Sequence, residues 1–219
     1  MAQSAKLYGL TAKPKSAFIF AATLTFLAGF LDVVGYVELN HLYVSFMSGN
    51  STHLGMALSN FDMSAVLTIL CIISAFVSGV FSGTRIADHA RERLLLAVSM
   101  AEALILLLSY CLAIVGQGYL ALVAVAFAMG MQNSLHQTIS GADMGRGFIT
   151  GSLFNLGQSL ARLRNDRSQA ITALANLSVW ICFVAGSCAG AFIYGRMGLS
   201  SALLLAVSFF IVTVVTALI

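Results

Sequence analysis

The sequence predicts an all-α integral membrane protein. Six transmembrane helices form a 3+3 inverted repeat, with a re-entrant or half-membrane helix after the first span of each repeat. Three observations predict this. Only 9% of the 219 residues are charged, 59% are hydrophobic and one is proline, for a mean hydropathy of +0.95, whereas roughly a quarter of a soluble domain is charged. Continuous apolar runs near or above the length of about 20 residues that spans a bilayer lie at about 17–38, 64–84, 94–115, 118–138, 169–194 and 199–219. Between them stand two polar segments, SFMSGNSTHLGMAL at 45–58 and FITGSLFNLGQSL at 148–160. Transmembrane barrels alternate in strands of about ten residues, so these continuous runs read as helices. They leave no soluble domain.

The first run follows Lys6, Lys13 and Lys15. It exceeds the 7–15 apolar residues of a signal peptide and continues into Asp32 without a small-residue cleavage site, which predicts a retained helix. Cys71, Cys111, Cys182 and Cys188 fall inside spans without C-x-x-C spacing, so they read as packing residues rather than disulfides or zinc ligands. The histidines lack i,i+4 pairing, and no metal or cofactor is expected. A net charge of +3 scattered over short loops offers nucleic acid no basic face. The expected partners are the lipid bilayer and a small solute.

Lysine and arginine accumulate in cytoplasmic loops, which decides whether the polar segments cross the membrane. If both cross, six of the eleven basic residues lie inside and five outside; if neither crosses, ten lie inside and Arg196 alone outside. The second arrangement is predicted, with a multi-pass protein of the bacterial cytoplasmic membrane and both termini cytoplasmic. The polar segments, about 42–60 and 141–163, then enter and leave on one side.

An offset of 102 pairs Phe46 with Phe148, Ser48 with Thr150, Gly49 with Gly151, His53 with Asn155, Gly55 with Gly157 and Leu58 with Leu160. At 101, Gly29 and Asp32 meet Gly130 and Asn133; at 107, Phe76, Gly79 and Gly83 meet Phe183, Gly186 and Gly190. Three matches in one order predict two units, 1–116 and 117–219. Each has three spans, so the second is inverted, a plan in which transporters form sites near the midplane from broken segments.

A helix of ten residues from Ser51 to Asn60 is about 15 Å long, half of a hydrocarbon core of about 30 Å. Its start is expected at mid-depth, capped by Ser48, Asn50 or Ser51, with Gly49 allowing close approach. Thr150, Gly151 and Ser152 are the expected counterpart. Two helix N-termini converging from opposite sides make a donor-rich site suited to an anion or a small polar solute; mutual packing of the two turns is the other reading. Asp32, an acid within the first span, suggests proton coupling or cation binding, and a hydrogen-bonded brace is its alternative. Asn133 is its neutral partner, and Glu102 lies near the middle of its helix as a second proton-coupling candidate. His53, His136 and Asn155 complete the expected substrate pathway. Gly79-x-x-x-Gly83 and Gly186-x-x-x-Gly190 are small-residue faces that suit packing of the halves or a homo-oligomer.

The function expected is a membrane channel or secondary transporter for a small polar or anionic solute. An intramembrane enzyme using Asp32, Glu102, His53 or His136, and a membrane scaffold, are the alternatives. Gly-x-Ser-x-Gly, His-Glu-x-x-His and P-loop motifs are absent from the sequence, which weakens the enzyme reading. Gly29-Phe30-Leu31-Asp32-Val33-Val34-Gly35-Tyr36, Phe46-Met47-Ser48-Gly49-Asn50 and Leu54-Gly55, with Met129 to Asn133 and Thr150 to Leu153, resemble the signature of the bacterial YoaK family of inner-membrane proteins. Ser48 stands where that family is expected to have threonine. The resemblance implies the multi-spanning architecture and supplies no substrate.

Overall fold

The computed structural model describes residues 14–90, 94–135, 137–139, 142–144, 149–163 and 166–218. Its elements run α1 (Pro14–Glu38), α2 (Met47–Ser59), α3 (Met63–Ala90), α4 (Leu94–Ile114), α5 (Gly118–Gln132), a 3₁₀ turn (Asn133–Leu135), β1 (Gln137–Ile139), β2 (Ala142–Met144), α6 (Ile149–Arg162) and α7 (Gln169–Leu218). Gly198, at φ 74° and ψ −175°, breaks α7 into two helical halves. Among the described residues, four helices are long and apolar enough to cross a membrane, α7 among them, and α5 is a shorter apolar helix. The chain is a membrane protein whose described residues form helices apart from one short antiparallel ribbon, which pairs Thr138 with Asp143.

The ribbon corrects the sequence reading. The fourth apolar run was expected to stay helical to about 138, but α5 ends at Gln132. The polar string Gln132–Gln137 is where it ends: the Asn133 amide donates back to the Met129 carbonyl (2.8 Å), a local bond of the kind that competes with helix continuation.

Turn chemistry is explicit at four junctions. α1 closes on Asn40 and His41, both left-handed (φ 51° and 73°), and the His41 N–H donates to the Tyr36 carbonyl (2.8 Å), satisfying one of the carbonyls that a helix end leaves open. Asp62 starts α3 by accepting the Ala65 N–H (3.0 Å), an N-cap. Gly116, at φ 79°, turns α4 into α5, with the Gln117 N–H on the Leu112 carbonyl (2.9 Å). At the start of α7, Asp166 accepts the Ser168 N–H (2.9 Å) and hydroxyl (2.7 Å); these bonds hold its carboxyl below the ordinary value of 3.8.

The most extensive helix contacts are α1 with α7 and α3 with α5. Both are crossings at which glycine lets backbones touch. A Cβ on Gly186 would overlap the Phe26 carbonyl oxygen, one on Gly29 that of Phe183, and one on Gly190 would press on that of Phe30. In the other crossing, a Cβ on Gly79 would overlap the Phe127 carbonyl and one on Gly130 that of Phe76, while Gly83 faces Met131 and Ser134. Lipid gives no hydrophobic drive for helix association, so close packing at small residues takes over. The Ser187 hydroxyl ties the first crossing to the Gly29 carbonyl (3.1 Å).

The outward surface is that of a lipid-facing protein. Phe61, Leu67, Phe81, Leu104, Phe154, Leu174 and Phe192 are exposed. Cys71, Cys111 and Cys188 are exposed as well, which corrects their reading as packing residues: a thiol is apolar enough to face lipid.

Candidate functional site

The first polar segment is built around a loop that folds back onto α1. Asp32, on the buried face six residues before the end of α1, aims its carboxylate at that loop. Oδ1 accepts the N–H groups of Val44 (3.0 Å) and Ser45 (2.7 Å), and Oδ2 accepts the Ser45 hydroxyl (2.7 Å). Asn50, fully buried in the first turn of α2, grips the preceding peptide. Its oxygen accepts the Tyr43 N–H (2.9 Å) and its nitrogen donates to the Tyr43 carbonyl (2.7 Å). Buried backbone N–H and C=O groups must find hydrogen-bond partners. Asp32 and Asn50 are those partners for residues 43–45.

This grip changes where α2 begins. Ser48, Asn50 or Ser51 was expected to cap a helix from Ser51, but α2 starts at Met47, Phe46 is the N-cap, and no side chain caps it. The amide of Asn50 is spent on Tyr43, while Ser51 and Thr52 bond the carbonyls of Met47 (2.8 Å) and Ser48 (3.2 Å) in their own helix. Gly49 is required by close approach: a Cβ there would sit 2.6–3.0 Å from the rings of Phe46 and Tyr43. Those rings meet edge to face at 5.2 Å, and the Tyr36 ring packs tilted against Tyr43 at 5.0 Å.

The two short helices turn comparable faces inward. On α2, Asn50 and Ala57 are buried and His53 half-buried, while Ser48 is exposed. On α6, Ser152 and Ser159 are buried and Asn155 half-buried, while Thr150, Gly151, Leu153 and Phe154 are exposed. Asn50, His53 and Ala57 correspond to Ser152, Asn155 and Ser159 at the offset of 102. α6 thus carries its polar stripe towards α7, against which it packs, and its apolar stripe outwards. Thr150, Gly151 and Ser152 lie inside its first turn.

His53 also lines an open cavity of about 470 Å³ between α2 and α3, with Leu42, Ala57, Asn60, Asp62 and Thr68. Asn133 is half-buried at the end of α5. His136 lies outside the described residues. Asp32 and Asn50 are brought together through the loop, whereas Glu102 lies elsewhere, fully buried in α4 with neither oxygen hydrogen-bonded among the described residues. No group of three metal-ligating side chains occurs among the described residues.

Sequence reasoning missed Ser45 and Tyr43, whose backbone is what the polar residues serve. It also missed Ser99 and Ser109, buried without hydrogen-bond partners among the described residues on the same face of α4 as Glu102. Their spacing from Glu102, three residues before and seven after, was a readable signal.

A family model described as "Protein of unknown function (DUF1275)" matches residues 20–216. The chain belongs to that family. It is 30% identical over 183 residues to UPF0700 transmembrane protein RA0705 of Rhizobium meliloti (strain 1021), covering 81% of this chain and 76% of that protein. It is 27% identical over 173 residues to UPF0700 transmembrane protein YoaK of Bacillus subtilis (strain 168), covering 76% and 77% respectively. The YoaK resemblance seen in the motifs is therefore shown. No solved structure matches.

Proposed function

We propose that the protein is a channel or secondary transporter for a small polar or anionic solute, built from two inverted three-span halves, 1–116 and 117–219. The observation that carries this reading is the pair of corresponding inward faces with polar residues, Asn50 and His53 on α2 and Ser152, Asn155 and Ser159 on α6. Polar side chains are costly in lipid and mark pathways when they face the protein interior. The glycine crossings support the repeat. Exchanging residues by the offsets of 101 and 107 turns the Gly29–Phe183, Gly186–Phe26 and Gly190–Phe30 contacts into Gly130–Phe76, Gly79–Phe127 and Gly83–Met131. The open cavity at His53 is the mouth of the path on one side. Asp32 and Asn50 act as the frame of its wall, since their polar atoms are engaged by the loop.

In liposomes, the purified protein is expected to give saturable, selective flux for some member of a panel of small anions, organic acids and neutral solutes. Replacing Asn155 by Leu is expected to reduce that flux about tenfold or more while thermal stability holds, a loss of transition-state stabilisation of about 1.4 kcal/mol. Absence of selective flux across the panel would overturn the reading.

The same reading places both termini in the cytoplasm of a bacterial cell. In a background with the four native cysteines replaced, single cysteines at Ser59 and Asn60 are expected to react with an impermeant maleimide from outside. Cysteines at Arg91 and Arg164 are expected to react only after the membrane is opened. Labelling of Asn60 and Arg164 from one side would overturn the topology.

A further inference from the structure

Glu102 is the ninth residue of α4, about 12 Å from the start of the helix at 1.5 Å per residue. That is deep within a hydrocarbon core of about 30 Å. Its side chain is 0% exposed and neither carboxyl oxygen has a hydrogen-bond partner among the described residues. Ser99, three residues earlier and on the same helix face, and Ser109, two turns later, are likewise buried with unpartnered hydroxyls. Such groups are rare in native proteins and call for an unseen water or ion or a functional role. Three on one stripe, between buried Val98, Leu106 and Ala113, make an internal polar track along α4.

Among the described residues the charge of Glu102 has no hydrogen-bonded or ion-paired counterpart. α4 packs against α3, α5, α7 and the 3₁₀ turn. α4 and α5 contain no lysine or arginine, and the ionisable groups beside Glu102 in these two helices are Tyr110, Cys111 and Tyr119. The second half of α7, 199–218, and the 3₁₀ turn contain no ionisable residue. On α3 the charged groups are Arg85, Asp88 and His89, all exposed near its C-terminal end, and its Cys71 is exposed. On the first half of α7, Arg196 is exposed just before the Gly198 break, near Tyr194, and Cys182 and Cys188 lie earlier on that half. An unpaired carboxylate in such surroundings is strongly disfavoured, and the smallest ion able to neutralise it is the proton.

We propose that Glu102 is a proton-binding site whose proton exchanges with the aqueous phase along the Ser99–Ser109 face of α4. The site rests on the geometry of α4 and not on the transporter reading, so a protein without selective flux leaves it standing and its own failure leaves a passive channel possible.

The test uses the intact protein in lipid vesicles. A hydrophobic carbodiimide reacts with a neutral carboxylic acid: the acid proton passes to one carbodiimide nitrogen, the carboxyl oxygen adds to the central carbon, and an acyl shift leaves a stable N-acylurea. Peptide mapping is expected to find the adduct on Glu102, and infrared spectroscopy a carboxylic-acid C=O band that bleaches reversibly as the buffer is made alkaline. Above the midpoint, the protonated fraction falls about tenfold for each pH unit. Glu102→Gln is expected to remove both adduct and band. No adduct at Glu102, a band that does not respond to pH while the protein stays folded, or protection by sodium ions at constant pH, which would make the occupant a metal ion, would each overturn the proposal.

Discussion

Gly186→Leu and Gly79→Leu are expected to prevent recovery of a monodisperse folded protein. At both positions even the first carbon of a side chain would overlap a carbonyl oxygen of the facing helix, Phe26 for Gly186 and Phe127 for Gly79. The obstacle is backbone, so no rotamer change relieves it; the helices have to separate. Overpacking a core costs about 1–3 kcal/mol when side chains yield, and separating two crossed backbones is expected to exceed that, against a total stability of about 5–15 kcal/mol. The alanine variants should already lower the melting temperature in detergent. Gly55 and Gly157 provide the control, because nothing lies within 4 Å of a Cβ built on either. Gly55→Ala and Gly157→Ala remove a helix-weakening residue and are expected to be neutral or to stabilise by up to about 1 kcal/mol. Equal losses at all four glycines would show that the crossings do not hold the helices.

These crossings were half-legible in the sequence. The spacing of Gly79 and Gly83, repeated at Gly186 and Gly190, announces helix faces that want a close neighbour, but spacing does not name the neighbour. Each glycine helix packs on a helix remote in the chain, α3 on α5 and α7 on α1. Hydropathy marked α1, α3, α4 and α7 well, the four helices long and apolar enough to cross a membrane among the described residues, because the bilayer imposes length directly on sequence. It failed at the end of α5, where a polar string tips the chain into a turn and a ribbon. For the candidate site, the residue types were readable and their uses were not. Asp32, Gly49 and Asn50 stood out as polar or small residues in apolar surroundings, and the natural inference was that they serve a ligand. The structure gives them a nearer client, the backbone of Tyr43, Val44 and Ser45, which no side-chain pattern could advertise. In the sequence Glu102 reads only as a second proton-coupling candidate after Asp32. Full burial with no hydrogen-bond donor among the described residues reverses that order.

Asp32→Ala is expected to destabilise the protein by about 3–5 kcal/mol. The carboxylate accepts two backbone N–H groups and one hydroxyl. Hydrogen bonds to a charged group contribute about 1.5–3 kcal/mol each, and a buried donor left alone costs about 1–3 kcal/mol. Val44, fully buried, would keep its N–H in an apolar setting without an acceptor. The loop is then expected to loosen at Tyr43–Ser45, seen as faster amide hydrogen exchange there, while the α3–α5 crossing stays protected. Asp32→Asn separates shape from charge. Its oxygen can still accept from the two N–H groups, and its nitrogen can donate to the Ser45 hydroxyl oxygen, so the loss should be clearly smaller than for alanine. A brace therefore predicts the order Asp, Asn, Ala in melting temperature, with uptake following stability. If Asp32 carries protons instead, Asn should melt like the wild type and lose only the pH dependence of uptake. Measuring both quantities on one preparation decides between them, and an alanine variant as stable as the wild type would remove the brace.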